Sequence, residues 1–167
     1  MPHLIRWAVP VITAAAVAAV VHRYLLFTTV VSSHSMEPTI KPGDRLLTLR
    51  MYRRDKIRRQ DKLVFYSREL RMVMVKRVVG LPGDSVNIQD DGTVHVNCEE
   101  LKEPYLDYPG GPGGNFTVPA RQYLMLGDNR ALSNDGRSWS QPFIHKQDVY
   151  GRAVFRTFPL RRMGRLK

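Results

Sequence analysis

The stretch Met72-Val73-Met74-Val75-Lys76-Arg77-Val78-Val79-Gly80-Leu81-Pro82-Gly83-Asp84 decides the reading of this chain. Its run of β-branched and apolar residues, closed by a glycine and a Pro-Gly-Asp turn, reads as a buried strand. Lys76 breaks the pattern. With a side-chain period of two it leaves the strand on the same face as Met72, Met74 and Val78. Burying an ammonium there is costly, and the cheaper outcome is a lowered pKa and a neutral amine, which is a base. An unperturbed lysine of pKa ~10.4 is neutral in only roughly one molecule in a few hundred at pH 8. Desolvation of about 3 pKa units, roughly 4 kcal/mol, makes it a competent proton acceptor. The competing reading is a lysine that snorkels from a strand edge to water.

Outward from this strand the pattern stays β. Leu63 to Tyr66 reads as its partner, Val118 to Leu126 as another strand, and Val149 to Phe158 as a closing one. Val86 to Val96 alternates on both sides of Asp91-Gly92, a hairpin signal because a tight turn needs positive φ. Pro104 to Gly114 is rich in Gly and Pro, and residues 108–115 are expected to form a mobile loop. Residues 85–122 then make a small β-hairpin lobe. The fold class is mainly β, in coiled antiparallel sheets.

At 167 residues the chain allows one main domain with a useful core. Lys plus Arg outnumber Asp plus Glu by 26 to 15, a net charge of +11 that calls for a polyanionic neighbour, nucleic acid or an anionic membrane face. Part of the excess is a run holding Arg50, Arg53, Arg54, Lys56, Arg58, Arg59 and Lys62, either a solvated face or one resting on anionic lipid. No aromatic residues interleave it in the way that base stacking needs, which argues against nucleic acid. Cys98 is the single cysteine, so no intrachain disulfide forms.

After Arg6, residues Trp7 to Val21 carry no charge; His22 and Arg23 follow, then a second apolar stretch from Tyr24 to Val31. A helix continued through Arg23 to Phe27 reaches the ~30 Å of a hydrocarbon core, with Arg23 near one end where its side chain reaches the headgroups. This gives residues 1–6 as a cytoplasmic N-terminus, 7–27 as one transmembrane anchor and 28–167 as an extracytoplasmic domain, the orientation following from Arg6. A cleaved signal peptide and a buried core helix are the alternatives.

Two further stretches hold chemistry. Ser32 to Asp44 contains two prolines and a Pro-Gly-Asp turn, a restricted segment able to hold a serine Oγ in one place for proton transfer. The plainer reading is a turn in which Ser33 and Ser35 bond local backbone. His34 is a poor partner for Ser35, because neighbours in extended chain point to opposite sides. Gly127 to Trp139 is a dense set of turn formers in which Asp135 and Arg137 are able to pair and Ser133 to meet a nearby amine; the alternative is a surface turn with incidental charges.

In these three ordered pieces the chain resembles the type I signal peptidases, membrane-bound serine proteases that remove signal peptides from exported proteins. Ser35-Met36-Glu37-Pro38-Thr39 resembles their S-M-x-P-T segment, Lys76-Arg77 through Asp84 their K-R-x-x-G-x-P-G-D segment, and Gly127 to Arg137 their G-D-N-R-x-x-S-x-D-x-R segment. Weaker echoes lie in Asp61 to Phe65, Glu103 to Leu106 and Gly151 to Val154. The resemblance implies Ser35 as nucleophile and Lys76 as general base. It implies an oxyanion site made by the Ser35 N–H and the Ser33 hydroxyl, Ser133 as the group orienting the amine, and Asp135 with Arg137 as a bracing ion pair. It places Val31, Met36, Ile40 and Val75 on small apolar substrate pockets that admit Ala-like side chains at the first and third positions before the cut. No metal or organic cofactor is needed. The implied partners are signal peptides, anionic membrane lipid and the secretion translocon, and the implied location is a bacterial cytoplasmic membrane.

The chain departs from the pattern at Gln60, where relatives have Gly, and at Cys98, which follows Asn97 where relatives have Gly and which is strained and exposed if the turn keeps positive φ. Three rival readings remain at this level. A self-cleaving repressor shares the dyad and a similar fold but needs a DNA-binding domain. A mitochondrial inner-membrane processing peptidase would take narrower substrates. A non-catalytic, membrane-anchored basic module would use only the charge.

Overall fold

The computed structural model describes residues 2–53 and 56–166, with side chains from Trp7 onward; Arg54 of the basic run and the Arg6 side chain lie outside the described residues. Helix α1 (Pro2–Tyr24) is 23 residues long, roughly 35 Å at the usual rise, and none of its Trp7–Tyr24 portion is buried in the protein. That exposure removes the buried-core-helix reading. Its length and composition are those of a membrane-crossing helix. The Thr13 hydroxyl donates to the Val9 carbonyl at 2.9 Å, so this polar group is satisfied inside the helix.

The helix ends three residues before the expected Phe27. Leu26 and Phe27 open strand β1 (Leu26–Val30), which pairs antiparallel with β2 (Arg45–Arg50). The β-branched run Thr28-Thr29-Val30-Val31 favours a strand, and the junction is fixed by polar contacts. The Arg50 N–H donates to the Leu25 carbonyl at 2.8 Å, the Tyr52 hydroxyl to the Tyr24 carbonyl at 2.6 Å, and the Arg50 guanidinium lies 4.9 Å from the centre of the Phe27 ring.

The remaining strands are β3 (Lys62–Ser67), β4 (Met72–Gly80), β5 (Ser85–Ile88), β6 (Val94–Val96), β7 (Glu99–Glu100), β8 (Gly114–Thr117), β9 (Gln122–Leu126), β10 (Phe143–His145), β11 (Val149–Phe158) and β12 (Gly164–Arg165). The larger sheet runs β1-β2-β11-β3-β4-β9-β10, with β12 on β11; the smaller runs β7-β6-β5-β8. All strand pairs are antiparallel. The expected closing strand is β11, and the expected hairpin is β5–β6, whose connection is wider than a two-residue turn, with Gly92 at φ 92°. Val118 to Leu126 is not one strand. Pro119 lacks an N–H and a turn carries the chain through Arg121, at φ 63°, into β9.

Residues 108–115, expected as a mobile loop, end inside β8 and are fastened elsewhere. Tyr108 bridges to Asn129, and the Arg137 Nη1 donates to the Gly110 carbonyl at 3.0 Å. The basic run is not one face either. The Arg59 guanidinium turns to Asp84 at 3.0 Å, and Lys62 is buried. Cys98 has φ 70° after Asn97 at 53°, and it is exposed, the strained turn anticipated from the sequence.

β4 divides the core by its pleat. Val78 enters a cluster with Leu63, Phe65, Met125 and Trp139, whereas Val79 faces Val86, Val118, Leu124 and Leu126 beneath the small sheet. Gly80 sits where this second layer closes. A Cβ there would lie 2.7 Å from Val118 Cγ2 and 3.0 Å from Leu124 Cβ. Gly80→Ala is therefore expected to cost about 2 kcal/mol by overpacking, read as a lowered midpoint in thermal or denaturant unfolding.

Candidate active site

Lys76 is 1 % exposed, which removes the snorkelling reading. Its strand places it among apolar neighbours, and its Nζ donates to the Ser133 Oγ at 2.8 Å. Burial pulls its pKa from the ordinary 10.5 down to about 8; Asp135 pulls upward, Arg137 downward and Asp128 upward, each by less. The sequence-based expectation of a desolvated amine therefore has a geometric cause.

The loop after β9 supplies what holds that amine. The Ser133 hydroxyl hydrogen-bonds the Asp135 carboxylate, which leaves its oxygen to accept from Lys76. Asp135 is fully buried and gripped by Arg137, with Nε to Oδ1 at 2.9 Å and Nη2 to Oδ2 at 3.0 Å, and by the Gly127 N–H at 2.9 Å. Burial pushes this carboxyl up, and the Arg137 bonds and charge outweigh it, so it stays below the usual carboxylate range. Arg137 also donates to the carbonyls of Arg130, at 2.7 Å, and of Gly110. One guanidinium thus ties the lysine-holding loop to the Gly/Pro segment that the sequence suggests as a mobile loop.

The Ser35 segment comes in from the other side. Its turn is closed by the Glu37 N–H to the His34 carbonyl at 3.1 Å and the Ile40 N–H to the Met36 carbonyl at 2.8 Å, with a cis Glu37–Pro38 bond. The Asn129 N–H donates to the Ser35 carbonyl at 3.0 Å, and the Ser33 and Ser35 hydroxyls are 3.2 Å apart. Asp44, from the following Pro-Gly-Asp turn, is fully buried against Arg156 and Arg162 and accepts the Lys41 N–H at 3.0 Å. His34 is turned to Glu37, its Nδ1 3.2 Å from that carboxylate and its side chain 67 % exposed.

Ser33, Ser35 and Lys76 line one cleft of about 300 Å³, together with Val31, Met36 and Val75. Ile40 does not line it. It is fully buried behind Met36 in the cluster that also holds Val31 and Leu46, so it shapes the wall from beneath. Asp135 and Arg137 also stand behind the lining. Leu70, Met74, Leu132 and Asn134 reach the cleft and were not singled out from the sequence. Gly127 has no spare volume at all: a Cβ there would lie 2.2 Å from the Ser133 Oγ and 2.4 Å from the Ser35 carbonyl.

A second missed feature is Arg77. Alternation sends it to the opposite face of β4 from Lys76, and that face is buried too. It pairs with Asp128 through Nε at 2.7 Å and Nη2 at 2.6 Å, its guanidinium lies 3.6 Å from the Tyr105 ring centre, and Nη1 donates to the Gln60 carbonyl at 3.2 Å. Tyr105 bonds Glu103, which pairs with buried Arg130 at 2.6 Å. The departure at Gln60, at φ 68°, therefore touches the residue next to Lys76 rather than a remote turn.

A serine hydroxyl and a buried, low-pKa amine on one apolar cleft are the parts of a serine–lysine hydrolase. Comparison with known proteins agrees. Residues 4–158 match the family model described as signal peptidase, peptidase S26. The chain is 38% identical to a signal peptidase I of Leptolyngbya laminosa, over 81% of this chain and 70% of that one. It is 31% identical to signal peptidase I P of Bacillus subtilis subsp. natto, over 98% and 94%. Among solved structures it is similar to a signal peptidase I from Enterococcus faecalis, with a TM-score of 0.53 and 30% identity, covering 59% of this chain and 97% of that one. The chain belongs to the signal peptidase family, peptidase S26.

The lysine's depressed pKa carries a stability signature. Between about pH 8 and 10.5 the unfolded chain holds the Lys76 proton and the folded chain does not, so this residue destabilises the fold below pH 8 and the penalty fades as pH rises. Lys76→Met is expected to be more stable than wild type at pH 7, by up to about 3 kcal/mol less the lost Ser133 bond, with the difference shrinking by pH 10 in denaturant unfolding. Gly127→Ala is expected to displace Ser133 or the Ser35 segment and to lower both stability and any activity of the cleft.

Proposed function

We propose that this chain is a membrane-anchored serine endopeptidase that removes N-terminal signal peptides from exported preproteins, cutting after Ala-x-Ala sequences. The observation that carries this is the Lys76 amine, desolvated, held by Ser133, and lining the same cleft as Ser35.

The neutral Lys76 amine takes the Ser35 proton as Oγ attacks the scissile carbonyl. The Ser35 N–H and the Ser33 hydroxyl hold the oxyanion. The lysine ammonium then gives its proton to the leaving amine, an acyl-enzyme remains on Ser35, and the same amine, neutral again, activates water to release it. Ser133 keeps the Nζ aimed through each transfer, and the Asp135–Arg137 pair keeps Ser133 aimed.

Substrate binding follows from an unused strand edge. β4 pairs with β3 along Met72–Arg77, but β9 joins its other side only from Arg77 to Gly80. The Met72–Lys76 edge facing the cleft is left to a peptide, which adds as a strand while Val31, Met36 and Val75 limit its side chains to small ones. Helix α1 anchors the enzyme, with the N-terminus cytoplasmic and residues 28–167 outside, in a bacterial cytoplasmic membrane beside the secretion translocon. Arg45, Arg50 and Lys56 supply charge for anionic lipid. Bacterial relatives that match most of this chain support that setting.

Cleavage of an Ala-x-Ala preprotein in detergent or lipid tests the reading. Wild type is expected to cut after the second Ala, with a rate that rises as Lys76 loses its proton through a midpoint of about 8. Ser35→Ala and Lys76→Ala are expected to lose roughly 10²–10⁴-fold while staying folded. A Lys62→Met protein should keep the limb, since Lys62, also lowered to about 8 by burial and Arg77, does not line the cleft. A folded Lys76→Ala protein that cuts as well as wild type overturns the assignment.

A further inference from the structure

The peptide strand that joins the Met72–Lys76 edge satisfies only one of its own two edges there. Its other carbonyls and N–H groups lose water on entering the cleft, and each needs a partner or carries a desolvation cost. The side chains of Val31, Met36, Leu70 and Met74 offer none, and the polar lining is confined to Thr29, the Ser32–Ser35 segment, Lys76 and Asn134.

Asn134 lines the same cleft, on the loop that carries Ser133. Its Oδ1 accepts a hydrogen bond from the Trp139 Nε1 at 2.8 Å, and Trp139 is a buried member of the core. An indole N–H only donates, so the amide orientation is settled: oxygen toward Trp139, nitrogen away from it. The Nδ2 has no partner among the described residues, and Asn134 is exposed. The amide is already ordered by its own anchor, so a ligand that accepts from it does not have to immobilise it.

We propose that Asn134 is a substrate-positioning residue whose pinned side-chain amide donates a hydrogen bond to a main-chain carbonyl of the peptide in the cleft. This rests on the reading of the cleft as a peptide-cleaving site. Because the bond is made in ground state and transition state alike, its loss appears in KM rather than in kcat.

The test uses the full chain in detergent, with steady-state cleavage of the Ala-x-Ala preprotein and, separately, binding of an Ala-x-Ala peptide to the Ser35→Ala protein. Asn134→Ala is expected to raise KM and weaken peptide binding by roughly fivefold, the effect of one net hydrogen bond, with kcat within about twofold and the basic limb unmoved. Asn134→Asp keeps an acceptor for Trp139 and loses the donor, so it should fold like wild type and still raise KM. Trp139→Phe leaves the amide in place but unpinned, and a smaller rise is expected. Unchanged KM and peptide binding in folded Asn134→Ala overturns the proposal, as does a loss that falls on kcat with a shifted limb, which marks displacement of Ser133. If wild type cleaves nothing but Asn134→Ala still weakens peptide binding fivefold, the protease reading fails and the positioning role stands. If no peptide binds, both fall.

Discussion

The 2.8 Å hydrogen bond from the Lys76 Nζ to the Ser133 Oγ is the contact on which the rest of the site depends. A lysine at this depth has two ways to avoid an unpaired buried charge: move the amine to water or give up the proton. The strand forbids the first and Ser133 makes the second tolerable, because a hydroxyl held by Asp135 accepts from an amine in either protonation state. Each element behind that bond serves it. Arg137 grips Asp135, Gly127 gives the two loops room to touch, and Asn129 carries the Ser35 carbonyl to the same loop.

Charge neutralisation is what permits so polar a centre in a small β domain. Arg77, Asp128, Arg130, Asp135 and Arg137 all have buried side chains, Arg77 next to Lys76 in the strand and the others on the loop that carries Ser133. Unpaired, each would cost several kcal/mol; paired bidentately or through backbone carbonyls, they fix loop geometry without flooding the cleft with field. Burial outweighs their net effect on Lys76, since Asp135 and Asp128 pull its pKa upward and Arg137 downward and the result is still a lowered value. Desolvation sets the value, and the ion pairs hold the cavity that desolvates.

The β class, the lysine strand, the hairpin and the closing strand were legible because alternation and Gly-Pro punctuation are local signals. β1 and β2 were not. Leu26 and Phe27 continue an apolar run that suits a membrane helix, and only pairing with residues some twenty positions away makes them a strand. At the site, Ser35, Lys76, Ser133 and the Asp135–Arg137 pair were reachable from ordered motifs. Ile40 was misplaced by one layer, since a motif gives spacing but not which face of a turn meets the cleft. Arg77 was readable and missed: period two sends it to the face opposite Lys76, and a nine-residue central strand buries both faces. Asn134 left no trace in the sequence, because its orientation depends on Trp139 five residues on.

The most direct measurement is the titration of the Lys76 side chain itself, by NMR of the full chain in detergent carrying isotope-labelled lysine, with Lys76→Met to assign the resonance and Ser35→Ala to prevent turnover. A midpoint of about 8, moving when Ser133 or Asp135 is replaced, is the expected result. A midpoint near the ordinary 10.5 would show an amine in contact with water, and neither the desolvated base nor the loop built to hold it would survive that result.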